Sequence, residues 1–423
     1  MPQTPSPTDS PTTLQRRLGL PGAIVIGVGS MVGAGVFTSL GLAASTAGPL
    51  LLVALALAGA TAWVNATSTA QLAAVHPTSG GAYVYGRRQL GDWAGFVAGW
   101  GFVTGKSASI AAMAYTFALY LLPAGDWTAR WVAIAAVVAV TGVNLAGITR
   151  TVQATVVILV PVLIVLLAVI LAGIGADRGD AVTPSTPEVT VLGVLQGAGL
   201  LFFAFAGYAR IATMGEEVRS PRRTIPRAVF GALVFTLVLY LLLALSLLSV
   251  LGADGLGRTA TAVRDAVEIL FGAEWVWLAV LGAALACLGS MLNLVAGISR
   301  TGLAMAREGD LPRPLARISA RTSVPWVAQL AAAAVVIVLL LTADVLTVVG
   351  FSSFGVLVYY AVANLSAFTL TERVVPGPRW LNLAGAAACL LLAFTLPWQS
   401  VLVMLAVFAV GLAGRALVRF RRR

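Results

Sequence analysis

Gly27 to Phe37 reads G-V-G-S-M-V-G-A-G-V-F, with glycines at 27, 29, 33 and 35 inside the first apolar run of the chain. Each glycine weakens a helix by roughly 1 kcal/mol relative to alanine. If the run crosses a bilayer, every unpaired backbone group within it costs several kcal/mol. Two readings fit so many glycines. Gly29 and Gly33 form a small-xxx-small step that lets helices touch. Alternatively, the helix opens here and offers its backbone N–H and C=O groups to a ligand.

The surrounding sequence places this stretch in a membrane. Of 423 residues, 59% are hydrophobic and 10% are charged, against roughly a quarter charged in soluble chains. Apolar runs of the roughly 20 residues a bilayer requires recur along the chain. They do not alternate apolar with polar as barrel strands do. The fold class is therefore an all-α polytopic membrane protein. Twelve helices are expected near 20–40, 48–73, 92–122, 129–148, 152–174, 194–214, 227–251, 273–303, 324–342, 346–370, 379–396 and 398–417. Residues 76–90 form a loop or an interfacial helix. Residues 1–18, rich in Pro, Thr and Ser, read as a disordered cytoplasmic tail.

The net charge of +11 does not form a face for nucleic acid, because the basic residues sit in short loops between apolar runs. Counted over twelve spans from a cytoplasmic start, twenty-one arginines fall on the inner side, among them Arg87, Arg88, Arg222, Arg223, Arg300 and Arg419. Four, Arg130, Arg178, Arg258 and Arg264, fall outside. This is the positive-inside pattern. It sets an expectation of a multi-pass cell-membrane protein with both termini cytoplasmic. Cys287 and Cys389 lie within apolar runs, and the lone His76 cannot form a metal cluster. No metal or organic cofactor is expected.

A second interruption is expected in L-L-F-F-A-F-A-G-Y-A, Leu200 to Ala209, where Gly207 is the breaker. It opens the second group of five helices, as the glycine cluster opens the first. Interrupted helices at matching positions of two halves mark a solute site near the midplane. Half-helix N-termini suit a carboxylate, and freed carbonyls suit an ammonium. Together they would receive a zwitterion.

Further motifs follow in order: Pro77, Gly80, Gly81, Tyr83 and Tyr85 after helix 2, Gly99-Trp100-Gly101 in helix 3, Glu216, Glu217, Arg219, Pro221 and Pro226 after helix 6, and Arg307-Glu308-Gly309-Asp310-Leu311-Pro312 after helix 8. With Gly33-Ala34-Gly35, they resemble the amino acid–polyamine–organocation superfamily of permeases over nearly the whole chain. The resemblance implies a LeuT-like fold, with two inverted five-helix repeats (about 19–175 and 190–370) in a 19–370 core, and two extra helices in 371–423. It implies a substrate carboxylate at the amides of Gly33, Ala34 and Gly35. It implies an α-amino group at carbonyls near Met31, Phe203, Ala204, Ala206 and Gly207, with Phe203 as an aromatic lid. Trp100, Ser107, Ser290, Asn293, Ser352 and Ser353 are looser pocket candidates from helices 3, 8 and 10, for which ordinary packing serves equally well. Two departures stand out: Ala209 replaces an acidic residue found in some members, and Val157 to Leu163 lacks the lysine that many carry in helix 5.

Lys106 is the single lysine among 27 basic residues and sits midway along helix 3. An ionisable residue inside a span is a functional candidate by default, and an ammonium removed from water is a candidate to gain and lose a proton. Three roles compete: a proton carrier, a fixed cation in place of sodium, or a contact to an anionic substrate group. The bland reading is snorkelling to the interface. Arg210, Glu216 and Glu217 are candidates for an inner gate, or ordinary solvated charges. The apolar, hydroxyl-bearing spans lack a carboxylate, which favours neutral amino acids over cationic ones and leaves acidic ones open. A secondary transporter is expected, coupled to protons before sodium, as symporter or exchanger, monomer or homodimer. A membrane enzyme lacks its catalytic cluster, a channel lacks its filter, and a receptor on the same fold would be told apart by solute counterflow.

Overall fold

The computed structural model describes residues 18–77, 80–122, 127–147, 152–174, 176, 190–212, 214–215, 218–322 and 324–422. The tail 1–17, the loop charges Asp126, Arg150, Asp177, Arg178, Asp180 and Glu188, and the gate candidates Glu216 and Glu217 lie outside these residues.

The first span, expected near 20–40, is two helices, interrupted within its glycine cluster. Helix α1, Leu20–Met31, stops at Val32 and Gly33; a π-helical turn, Gly35–Ser39, leads into α2, Leu40–Ala47. Helices α3 (Leu51–Val75), α4 (Ala82–Leu90), α5 (Asp92–Leu121), α6 (Trp127–Leu145) and α7 (Val152–Gly173) follow. Helix α4 resolves the 76–90 alternatives in favour of a short helix. The sixth span is α8 (Val191–Phe205), a 3-10 turn at Ala206–Tyr208, and α9 (Ala209–Ala212).

Helix α10, Pro221–Arg258, starts earlier than the expected 227, because Pro221 suits a first helical turn whose N–H groups lack partners anyway. It kinks at Gly252, where φ is 67°. The stretch beyond it, left as loop by hydropathy, contains α11, Ala262–Phe271, with buried Val263 and Val267 one turn apart among Arg264, Asp265 and Glu268. Helices α12 (Val276–Arg307), α13 (Trp326–Thr342), α14 (Val345–Thr369), α15 (Trp380–Thr395) and α16 (Trp398–Arg422) complete the chain. Among the described residues there is no β-strand, only an isolated bridge between Leu18 and Val218.

Eight helical stretches among the described residues are long and apolar enough to cross a membrane, and α1, α13 and α15 are shorter apolar helices. Exposed tryptophans cluster at helix starts: Trp93 on α5, Trp127 on α6, Trp277 on α12, Trp326 on α13, Trp380 on α15 and Trp398 on α16. Such rings form the belts found at membrane–water boundaries. The protein is a multi-pass membrane protein, with apolar side chains such as Val157, Ile164 and Leu171 facing outward.

Inside the bundle, α5 and α14 touch backbone to backbone. A Cβ added at Gly355 would lie 2.6 Å from the carbonyl oxygen of Gly101 and 2.8 Å from the Cα of Gly105. This close approach holds the next turn of α5, bearing Lys106, against the centre of the molecule.

Candidate functional site

The two interrupted helices meet each other. A Cβ at Gly35 would lie 2.6 Å from the Cα of Ala204. A Cβ at Gly207 would lie 2.6 Å from the backbone nitrogen of Met31, and nearer still to the Ser30 carbonyl. Gly33 is as tightly set, its Cβ position 2.5 Å from Ser290 Oγ. The glycines therefore serve both readings of the sequence. They let the segments touch, and they allow backbone groups to leave the helical ladder at the crossing.

Side chains from neighbouring helices hold those freed carbonyls. Tyr240 of α10 places its hydroxyl 2.8 Å from the Met31 carbonyl and 3.2 Å from that of Ala204, bridging both broken segments. The Ala206 carbonyl, in the 3-10 turn, accepts from Lys106 Nζ at 3.4 Å and from the Tyr360 hydroxyl at 3.3 Å. Ser290 of α12 donates to the Gly29 carbonyl at 3.4 Å. Buried polar groups in a low-dielectric interior must be paired in this way.

A cavity of ≈ 90 Å³ opens against this crossing. Its wall includes Ser30, Phe102, Lys106, Ala206, Gly207 and Arg210, with Ser290, Asn293, Arg300 and Thr301 from α12. Lys106 is 6% exposed. Arg300 and Gly80 place the mouth on the face where α4 and the end of α12 lie. No aspartate or glutamate is among the described residues of the wall.

Of the residues singled out in the sequence, the cavity gathers Lys106, Ala206, Gly207, Arg210, Ser290 and Asn293. Met31, Gly33, Ala34, Gly35, Phe203 and Ala204 are buried at or beside the crossing but do not line the cavity. Trp100 points elsewhere: its Nε1 donates to the Val407 carbonyl of α16 at 2.9 Å, and its ring stacks on Phe96. Ser107 bonds back to the Val103 carbonyl within α5. Ser352 pairs with Ser109 at 2.6 Å, joining α14 to α5. Ser353 is buried among the packed residues of α14. Tyr240, Tyr360 and Phe102 carried no mark in the sequence. Phe102 alone had a usable signal, since it precedes Lys106 by one helical turn and shares its face.

Comparison with known proteins agrees with this architecture. Residues 18–413 match the amino acid permease family. The chain is 51% identical over 419 residues to an uncharacterized transporter of Mycobacterium tuberculosis, covering 99% of this chain and 94% of that one. It is 30% identical over 408 residues to the chloroplastic cationic amino acid transporter 7 of Arabidopsis thaliana, covering 89% and 69%. It is 25% identical over 371 residues to the serine/threonine exchanger SteT of Bacillus subtilis, covering 85% and 84%. With its interrupted helices crossing at a small central cavity, the chain belongs to the amino acid permease family and is a membrane transporter rather than an enzyme.

Proposed function

We propose that this permease carries neutral α-amino acids, small ones foremost, by alternating access, and that Lys106 couples transport to protons. The observation that carries this reading is the contact between Lys106 and the carbonyl of Ala206. The ammonium sits beside a neutral acceptor, so it can give up its proton without stranding a counter-ion. In the charged form it holds the opened turn of the sixth span; in the neutral form that hold weakens. Proton loss and rearrangement of the substrate-binding backbone are then one event.

The wall supports a neutral substrate. Buried Lys106 lines it, so a cationic side chain beside it would meet like charge at low dielectric. The volume of ≈ 90 Å³ favours a small side chain, and the relative named as a serine/threonine exchanger carries substrates of that kind. On this reading the zwitterion's ammonium meets the Ala206 carbonyl in the cavity wall, and its carboxylate is drawn to the helix break at Val32 and Gly33 beside the cavity. Exposed Arg300 and partly exposed Gly80 in the lining support an opening toward the arginine-rich face, which we assign to the cytoplasm.

Counterflow in proteoliposomes loaded with unlabelled serine tests the substrate. Serine, alanine and threonine should compete for entry of labelled serine. Competition by arginine alone, or by glutamate alone, would replace the neutral reading with a cationic or acidic one.

A further inference from the structure

A second recess lies away from the transport cavity, on the outer surface between α3, α10 and the loop joining α14 to α15. It has a volume of ≈ 810 Å³, within the roughly 300–1,000 Å³ usual for ligand sites. Arg222, Arg223 and Arg227 of α10 form its rim, and Trp63, Phe230 and Leu381 form its walls.

The third wall is fixed. Gln71 accepts from the backbone N–H groups of Val374 and Val375 at 3.0 and 2.7 Å, and donates to the Glu372 carbonyl at 2.8 Å. One buried amide thereby clamps the connecting loop to α3, and the groove exists before anything enters it.

Charge and depth together indicate the occupant. Arg222 is tied to the Glu372 carboxylate. Arg223 and Arg227 form no ion pair among the described residues. They stand one helical turn apart on one face, roughly 6 Å between Cβ atoms. Arg227 also heads a stripe of exposed Val234, Val238 and Leu241, at helical spacing, so this face of α10 is turned toward acyl chains rather than water. From Arg222 to Phe230 the helix rises about 12 Å, close to the thickness of one leaflet's hydrocarbon, about 15 Å. Phe230 and Trp63 meet at that depth, 5.0 Å between ring centroids, and Trp63 is 42% exposed. The groove thus has a cationic end at headgroup level and an aromatic end within the leaflet.

We propose that it binds one anionic phospholipid, the phosphate held by Arg223 and Arg227 and an acyl chain laid on Trp63 and Phe230. A phospholipid of the arginine-rich leaflet satisfies both ends at once. Free phosphate would leave the aromatic end bare, and a second copy of this chain would bring the same arginines against each other.

The test is native mass spectrometry of the full-length protein in detergent, titrated with phosphatidylglycerol or phosphatidylcholine. Wild type should retain one phosphatidylglycerol in preference to phosphatidylcholine. The double substitution R223Q/R227Q should weaken that binding about thirty-fold, from two juxtamembrane charges. R317Q/R321Q, which removes the same charge from an exposed loop outside the groove, should leave it unchanged. Phe230→Ala keeps both arginines and should weaken long-chain phosphatidylglycerol more than a dihexanoyl form. Unchanged binding in R223Q/R227Q, an equal loss in R317Q/R321Q, or equal retention of phosphatidylcholine would overturn the proposal. Displacement of the lipid by inorganic phosphate, or a dimer that buries Trp63, would do the same.

Discussion

Lys106 Nζ lies 3.4 Å from the carbonyl oxygen of Ala206 and donates to it across the boundary between α5 and the turn that interrupts the sixth span. The Tyr360 hydroxyl reaches the same oxygen at 3.3 Å. A backbone group released by the broken helix is therefore held by two side chains, one of which can change its charge.

The Tyr240 hydroxyl spans the Met31 and Ala204 carbonyls, so it ties the two interrupted segments together. Tyr240→Phe removes that donor from both carbonyls, leaving Met31 only its bond from the Gly33 N–H at 2.9 Å, at about 1–3 kcal/mol. Thermal denaturation in detergent should show the loss, and serine counterflow should show a raised KM. Unchanged stability and KM would mean that the hydroxyl does not hold the crossing.

Gly207 and Gly297 both line the cavity but differ in surroundings. A Cβ at Gly207 would strike the backbone of Ser30 and Met31, whereas at Gly297 nothing lies within 4 Å. Gly207→Ala should cost about 1–3 kcal/mol through overpacking and abolish most transport, while Gly297→Ala should fold and transport nearly as wild type. Equal activity of the two variants would contradict the close approach of the broken helices.

Asp310 joins the face that carries α4 into one network. Its Oδ1 accepts from Arg415 Nε at 2.8 Å, and its Oδ2 accepts from Arg87 Nη1 at 2.9 Å and the Tyr83 hydroxyl at 3.0 Å. Arg415 is buried at 3% exposure and lies over the Trp93 ring, 4.5 Å from its centroid. Asp310→Asn strands that guanidinium and should lower stability by about 3–5 kcal/mol. The pair Asp310→Leu with Arg415→Met should lose less than Asp310→Asn alone, because both charges leave together. A double variant worse than the single one would show that the network stabilises by more than pairing.

Parts of this site were legible in the sequence for physical reasons. Four glycines from Gly27 to Gly35 are costly in a single span, and the break falls at Val32 and Gly33 among them. Gly207 marked the second break, which the structure places at Ala206–Tyr208. A lone lysine in an apolar run stood out by its cost. What could not be read was rotation. In a span surrounded by lipid and by other apolar helices, hydrophobicity barely varies around the helix, so the spacing puts Phe102 on the face of Lys106 but does not show that this face meets the cavity while Trp100 faces α16. Tyr240 was hidden for the same reason: a tyrosine in an apolar stretch shows its hydroxyl's partners only once two distant segments are packed against it.

The central claim is that Lys106 links the proton to the opened turn at Ala206. Its most direct test is uptake of labelled serine into proteoliposomes with and without an imposed inward proton gradient, for wild type and Lys106→Met, with counterflow measured alongside. The account predicts gradient-driven accumulation by wild type, and a variant that loses accumulation but still exchanges. Accumulation by Lys106→Met equal to wild type would contradict it, as would wild-type uptake that ignores the gradient and responds only to solute loaded inside.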